Sequence, residues 1–256
     1  MSPADLAGAP YFLVDTLPAV GRFVLDGPEG RHASVVRRLR TGEILVLTDG
    51  SGRISPATVT AVGRGTVDLA VGTAVVVPQP AVRVTLVQAL PKGERSDLAV
   101  DLATEAGVDA LVPWSAGRCV ARWSSGDKAQ KGVIRWQGVA REAAKQSRRS
   151  TVPTVSPLAS TATVAELITA SAGALVLHEA GSVPISRAEL PTDGDLVLVV
   201  GPEGGVTPEE LTAFRAAGAQ VVRLGREVLR TSTAAAVALG ALGVLGHRWD
   251  EQEGAR

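Results

Sequence analysis

The chain has 256 residues, 45% hydrophobic and 20% charged, enough to bury a sizeable core in one large domain or in a small domain plus a medium one. Its single cysteine, Cys119, excludes a disulfide framework and any multi-cysteine metal site, and three scattered histidines, His32, His178 and His247, argue against zinc. Basic and acidic residues balance at 26 each, so overall charge does not draw the molecule to a polyanion.

With only eight aromatics (four Trp, one Tyr, three Phe), Val, Ala and Leu must build the core. The opening MSPADLAGAPYFLVD lacks a basic start followed by an apolar run, and no uninterrupted apolar stretch approaches the roughly 18 residues of a membrane span. A soluble, cytoplasmic protein is expected, and the cysteine usage suits a reducing compartment.

Up to about residue 77 the pattern is of short strands: YFLV at 11–14, RFVL at 22–25, ILVLT at 44–48, ATVTAV at 57–62 and TVDLAV at 66–71. The turn Asp49-Gly50-Ser51-Gly52 joins two of them, and a short helix is expected around Arg31–Leu39. Strands so spaced predict a small β-barrel. The two prolines of VVVPQPAV (75–82) then predict an extended linker.

Beyond it, strands and helices alternate. Strands are expected at 82–90, 110–113, 174–179, 195–200 and 219–225, and helices at 94–106, 129–147, 163–171, 208–217 and 231–246. Such alternation predicts a mostly parallel sheet with helices on both faces. The tail DEQEGAR is expected to fray.

Between Arg118 and Arg149, nine basic residues face only Asp127 and Glu142, a local excess of seven positive charges. Arg141, Lys145 and Arg148 fall at i, i+4 and i+7 of the expected helix, opposite a buried stripe of Trp136, Ala140, Ala143 and Ser147. A basic face of this kind suits RNA phosphates.

The sharpest local feature is DLVLVV-GPEGG-VTPEEL. An apolar strand runs into Gly201-Pro202-Glu203-Gly204-Gly205, and a helix opens with Thr207 and Glu210 at capping-box spacing and Pro208 at its first position. Glycines there let backbone approach a ligand where α/β sheets bind them, at strand carboxyl ends. A second loop, Gly225 to Arg230, leads into Thr231-Ser232-Thr233, any of which can cap the last helix. The small face of Ala236, Gly240 and Gly243 on that helix would also suit a helix–helix dimer contact. Neither loop is a dinucleotide fingerprint or a phosphate loop.

In this order and spacing, the two loops resemble the cofactor loops of SPOUT methyltransferases, most nearly the 16S rRNA (uracil-N3)-methyltransferase family. Further motifs extend the likeness over nearly the whole chain. They are His32 with Val36-Arg37-Arg38, Arg40 and Gly42; Lys92 with Glu105-Ala106-Gly107-Val108 and Pro113; Glu142-Ala-Ala-Lys145-Gln146-Ser147-Arg148-Arg149 with Val152-Pro153; and Leu224-Gly225 through Ala234. Ser232 stands where the family usually has Glu, Arg37 where it has Leu, and the Arg often found before the first strand is missing.

The resemblance implies a PUA-like β-barrel that binds RNA over residues 1–77 and a SPOUT domain with a C-terminal trefoil knot over 78–256. It implies a homodimer that uses S-adenosylmethionine to methylate N3 of a specific uridine in 16S rRNA, in the 30S subunit, without a metal. The cofactor would lie among His178, Glu179, Gly201, Pro202, Glu203, Gly204, Gly205, Leu224, Gly225, Leu229, Thr231, Ser232 and Thr233. Arg230 is the candidate for holding the target nucleotide, and Glu203 is a conceivable general base. RNA would meet Arg37, Arg38, Arg40, Arg141, Lys145, Gln146, Arg148 and Arg149, with His32 either an RNA contact or a packing residue. Three rivals remain: a SPOUT enzyme acting on another base or a ribose 2′-hydroxyl, a non-catalytic RNA-binding protein, and a nucleotide-binding α/β enzyme.

Overall fold

The computed structural model describes Leu6 and residues 8–250. The tail expected to fray lies, from residue 251 onward, outside the described residues. The chain divides into two compact units.

The first unit comprises the residues up to Gln79 together with Ala144–Val152. Its strands are β1 (Tyr11–Leu13), β2 (Gly21–Leu25), β3 (Ile44–Thr48), β4 (Arg53–Val62), β5 (Val67–Val71) and β6 (Val75–Val76). They form one sheet in the order β1-β3-β4-β5-β2, with β6 on β4; only the β1–β3 pair is parallel. Successive side chains of a strand face opposite ways, and β3 follows the rule. Leu45 and Leu47 enter the main core with Phe12 and Leu69, whereas Val46 joins Leu6 and Ile54 in a second cluster.

The Asp49–Gly52 turn closes the β3–β4 hairpin as expected, with Gly50 and Gly52 at positive φ. Burial pushes the Asp49 carboxyl up, but hydrogen bonds from the Ser51 amide and hydroxyl outweigh it and hold it below its ordinary range. The segment 75–82, expected as a linker, instead contributes β6 to the sheet.

The helix expected at Arg31–Leu39 starts earlier, as α1 (Gly27–Arg31) with Pro28 in its first turn. It widens into a π turn over His32–Val36, where the Arg37 N–H bonds to the His32 carbonyl. Ala33 and Leu39 are buried on either side of Arg38, which exits the turn at φ 53°. His32 packs edge-on against Phe12, ring centroids 5.8 Å apart, so it serves the core of this unit.

In the second unit the strands are β7 (Val82–Ala89), β8 (Ala110–Trp114), β9 (Thr154–Val155), β10 (Gly173–Leu177), β11 (Val183–Pro184), β12 (Gly194–Val200) and β13 (Gln220–Arg223). The helices are α2 (Arg95–Glu105), α3 (Gly126–Gln146), α4 (Thr161–Ala170), α5 (Pro208–Ala216) and α6 (Thr231–Leu245); the last residues of α3 belong to the first unit. All seven strands run parallel, in the order β11-β13-β10-β12-β7-β8-β9. Helices cover such a sheet on both faces, which explains continuous apolar runs such as Leu196–Val200, buried throughout.

The long helix expected at 129–147 begins at Gly126 and ends at Gln146. Trp136, Ala140 and Ala143 form its buried stripe, and the Trp136 indole donates to Ser96 Oγ at 2.8 Å. Arg148 lies past the helix end at φ 56°, so it does not continue the face of Arg141 and Lys145.

The small residues of α6 have a neighbour within the chain. A Cβ on Gly243 would lie 2.4 Å from the Trp249 ring, and one on Gly240 3.4 Å from it. The chain thus folds Trp249 back over this face. Beside it, Arg248 donates to the carbonyls of Val82 and Gly107 and pairs with Asp109 at 2.9 Å, securing the chain at the amino ends of β7 and β8.

Candidate functional site

A cavity of about 470 Å³ opens beyond the carboxyl ends of β13, β10 and β12, three neighbours in the sheet. Each strand hands its loop to the cavity: Leu177-His178-Glu179 after β10, Gly201 to Val206 after β12, and Leu224 to Arg230 after β13. Thr231 and Ala234 of α6 complete the wall, and Arg95, at the start of α2, joins the rim. The two glycine loops singled out in the sequence therefore meet at one site.

Local chemistry explains their shapes. Gly205 turns at φ 75° and its N–H bonds to the Pro202 carbonyl at 2.9 Å. The α5 capping box forms as expected, with Thr207 Oγ1 accepting from the Glu210 amide and the Glu210 carboxylate accepting from the Thr207 amide. The Thr231 hydroxyl donates to the Gly201 carbonyl at 3.1 Å, binding one loop to the other.

The start of α6 corrects the sequence reading. Its N-cap is Arg230, and no hydroxyl caps the helix. Two of the three hydroxyls are committed elsewhere, Thr231 to Gly201 and Thr233 to the Arg230 carbonyl. Ser232 does not line the cavity; it is buried, with a hydroxyl that has no hydrogen-bond partner among the described residues. Thr233 is not in the wall either.

Among the polar residues, His178 Nδ1 accepts the Ala180 N–H at 3.1 Å, so the neutral ring carries its proton on Nε2. The same Nδ1 lies 3.8 Å from Glu179 Oε2. Glu203 Oε1 accepts the Lys92 N–H at 3.1 Å, which links the β12 loop to the one after β7. Arg230 is exposed at the rim, with Arg223, Arg226 and Glu227 nearby in the same wall. Sequence reasoning missed Arg95, Arg223, Arg226 and Glu227. Arg95 follows a strand's carboxyl end, and the rule that drew attention to Gly201–Gly205 would have found it there.

The basic residues of 118–149 are not one uniform surface. Arg135 pairs with Asp97, and Arg118 Nη1 donates to the Gly204 carbonyl at 3.0 Å. Lys145, expected to face RNA, is withdrawn: its ammonium sits 2.6 Å from Glu29, with only 9% of the side chain exposed. Arg149 is half-buried and donates to Thr151 Oγ1. Arg37, Arg38, Arg40, Arg141, Gln146 and Arg148 are exposed.

On this chain, with its glycine-walled cavity at the carboxyl edge of a parallel sheet and its second small β unit, two family models match, and they give the class as an RNA methyltransferase with a PUA domain. The family model of an RNA methyltransferase domain matches residues 78–243, and that of an RNA methyltransferase PUA domain matches residues 25–71. Ribosomal RNA small subunit methyltransferase E of Mycobacterium bovis is 53% identical over 247 residues, 94% of each chain. The Bacillus subtilis protein of the same name is 29% identical over 228 residues, 86% of this chain and 89% of its own. The chain belongs to the ribosomal RNA small subunit methyltransferase E family.

Solved structures agree. The Neisseria gonorrhoeae member, bound to S-adenosyl methionine, superposes with a TM-score of 0.79 at 29% identity, covering 93% of this chain and 98% of its own. A Legionella pneumophila methyltransferase in complex with the same cofactor gives 0.75 at 27% identity, covering 92% and 96%. The expected fold class, a SPOUT-type parallel α/β sheet with a PUA-like domain, is that of these neighbours.

Proposed function

We propose that the chain transfers the methyl group of S-adenosylmethionine to N3 of a specific uridine in 16S rRNA of the small ribosomal subunit. The observation that carries this reading is the convergence of both glycine loops on one cavity of about 470 Å³ at the carboxyl ends of three parallel strands. That volume falls among small-ligand pockets, which run from about 300 to 1,000 Å³.

The wall suits the cofactor. Gly201, Gly204, Gly205 and Gly225 let backbone groups approach closely, Leu177, Val200, Leu224 and Leu229 offer apolar surface, and the Glu179 and Glu227 carboxylates suit a cationic ligand. Bound there, S-adenosylmethionine would supply an electrophilic methyl group on a sulfonium. The remaining work falls to the chain. Uracil N3 is a poor nucleophile until it loses its proton, so the site must favour the anion and hold N3 in line. Arg230 and Arg95 both line the cavity; in this reading Arg230 stabilises that anion and Arg95 holds the nucleotide. Glu203, whose Oε1 already takes the Lys92 amide, keeps Oε2 as the available acceptor for the N3 proton. Orientation alone can contribute roughly 7–11 kcal/mol over a bimolecular encounter.

In this reading residues 1–77 are a PUA-like RNA-binding domain and 78–256 the SPOUT domain with its C-terminal knot. Exposed Arg37, Arg38, Arg40, Arg141, Gln146 and Arg148, with half-buried Arg149, supply the RNA-facing groups. The enzyme works in the cytoplasm as a homodimer, through the exposed apolar side of α6 at Val237, Val244 and Leu245 with Val228 and Leu229. The test is transfer of tritium from methyl-labelled S-adenosylmethionine to small subunits lacking the modification, followed by nucleoside mapping. Label in 3-methyluridine at one site is expected. Label in another base or on a ribose would refute the N3 assignment, and no transfer to any RNA would refute the activity.

A further inference from the structure

Glu210 is a buried carboxylate on the first turn of α5, and it is not part of the cavity wall. Its oxygens do more than cap the helix. Oε2 accepts the Thr207 N–H at 2.9 Å, which completes the capping box. Oε1 accepts the Gly117 N–H at 2.8 Å and the Thr161 hydroxyl at 3.3 Å, groups from the loop after β8 and from the start of α4. The loop residue next to Gly117 is Arg118, whose guanidinium donates to the Gly204 carbonyl at 3.0 Å. Gly204 rests against that residue so closely that a Cβ would stand 3.0 Å from Arg118 Cβ and 3.3 Å from its carbonyl oxygen. A continuous set of contacts therefore runs from α4 through Glu210, Gly117 and Arg118 to a glycine that lines the cavity.

We propose that Glu210 and Arg118 form a positioning brace that holds the Gly204–Gly205 wall in its binding shape and so sets the affinity for S-adenosylmethionine. The inference rests on the reading of the cavity as the cofactor site. Neither residue lines the cavity, so both act through the loop. The helix cap alone does not require this carboxylate, since glutamine serves a capping box as well. Glutamine has one acceptor oxygen, however. If it serves Thr207, its NH₂ group faces the Gly117 N–H, donor against donor, and the β8 loop loses its anchor. A wall held in advance spares the ligand the cost of ordering it.

The test is calorimetric titration of S-adenosylmethionine into the native chain and into Arg118→Ala, Arg118→Lys, Glu210→Gln and the Ala/Gln double variant, with steady-state kinetics on each. Arg118 is exposed, so Arg118→Ala should keep the native Tm while weakening cofactor binding about three- to tenfold, the worth of one hydrogen bond. The KM for cofactor should rise by a similar factor with kcat at saturation unchanged, and Arg118→Lys should recover part of the loss. Glu210→Gln should act in the same direction, and the double variant should lose less than the product of the single losses, because both act through one loop. Native affinity in both single variants would overturn the brace. So would a fall in kcat with unchanged KM, which would assign Arg118 to the RNA. A native chain that does not bind the cofactor would overturn the cofactor reading, and the brace with it.

Discussion

Lys145 and Glu29 form an ion pair of 2.6 Å with 9% and 18% of their side chains exposed, joining the last turn of α3 to α1. Glu29 Oε2 has no hydrogen-bond partner among the described residues, so the lysine is the main compensation for a nearly buried carboxylate. Lys145→Ala strands that charge and should cost about 3 kcal/mol. Urea denaturation would show it as a lower midpoint. The salt dependence of RNA binding, which counts phosphate contacts, should stay as in the native chain; a shallower slope would return Lys145 to the RNA surface.

Arg38 and Arg148 hold left-handed backbone at φ 53° and 56°, where glycine is favoured and side chains are strained. Both are exposed. Arg38→Gly and Arg148→Gly should each stabilise the fold by about 1 kcal/mol and yet weaken RNA binding. Thermal melting and filter binding on the same preparations separate the two effects. If either variant gains stability with no loss of RNA affinity, that arginine is not an RNA contact.

Arg230→Ala should lower kcat with 30S subunits by at least tenfold while the Kd for S-adenosylmethionine stays within about twofold, because the side chain is proposed to act on the nucleotide. Single-turnover methyl transfer with pre-bound cofactor is the decisive measurement. An equal loss in cofactor affinity would move Arg230 to the cofactor wall.

Burial pushes the Cys119 thiol above its ordinary range, with the Glu203 and Glu210 charges adding to the shift. Protonated and 4% exposed, it should resist iodoacetamide at neutral pH and react at the normal rate once the chain is unfolded in urea. The raised folded-state pKa also gives the linkage sign. Stability from the neutral buried thiol is complete below the ordinary thiol range and is lost as pH rises through the folded-state value. Mass spectrometry of alkylated protein across pH 7–10 checks both statements, and fast labelling of the folded chain at pH 7 would contradict them.

Much of this site was legible because its signals are local. The apolar run Leu196–Val200, the glycines after it and the Thr207–Glu210 spacing sit within 15 consecutive residues and fold as read. The alternation of Leu45, Val46 and Leu47 likewise survives in their two separate clusters. What escaped depends on distant partners. Nothing near Lys145 announces Glu29, 116 positions away, and the pattern that makes Arg141 exposed applies equally to a lysine that is not. The hydroxyls at 231–233 have the composition of a cap, but Thr231 turns instead to Gly201. β6, β9 and β11, at two residues each, are too short to show any period.

The sheet order places β10 between β13 and β12, and β7 beyond them, so chain neighbours are often not sheet neighbours. That order was not legible in the sequence, since local periodicity carries no information about which strands lie side by side.

Because every strand of this sheet points the same way, the two rims have separate trades. The loops that face the cavity all lie at one rim, while the other is where Arg248 is fastened to Val82, Gly107 and Asp109. Substitutions at the first rim can retune what is bound with little disturbance to the fastening, and substitutions at the second can change how long the fold survives without altering what it recognises. Parallel strands thus let durability and specificity vary as independent properties of one sheet.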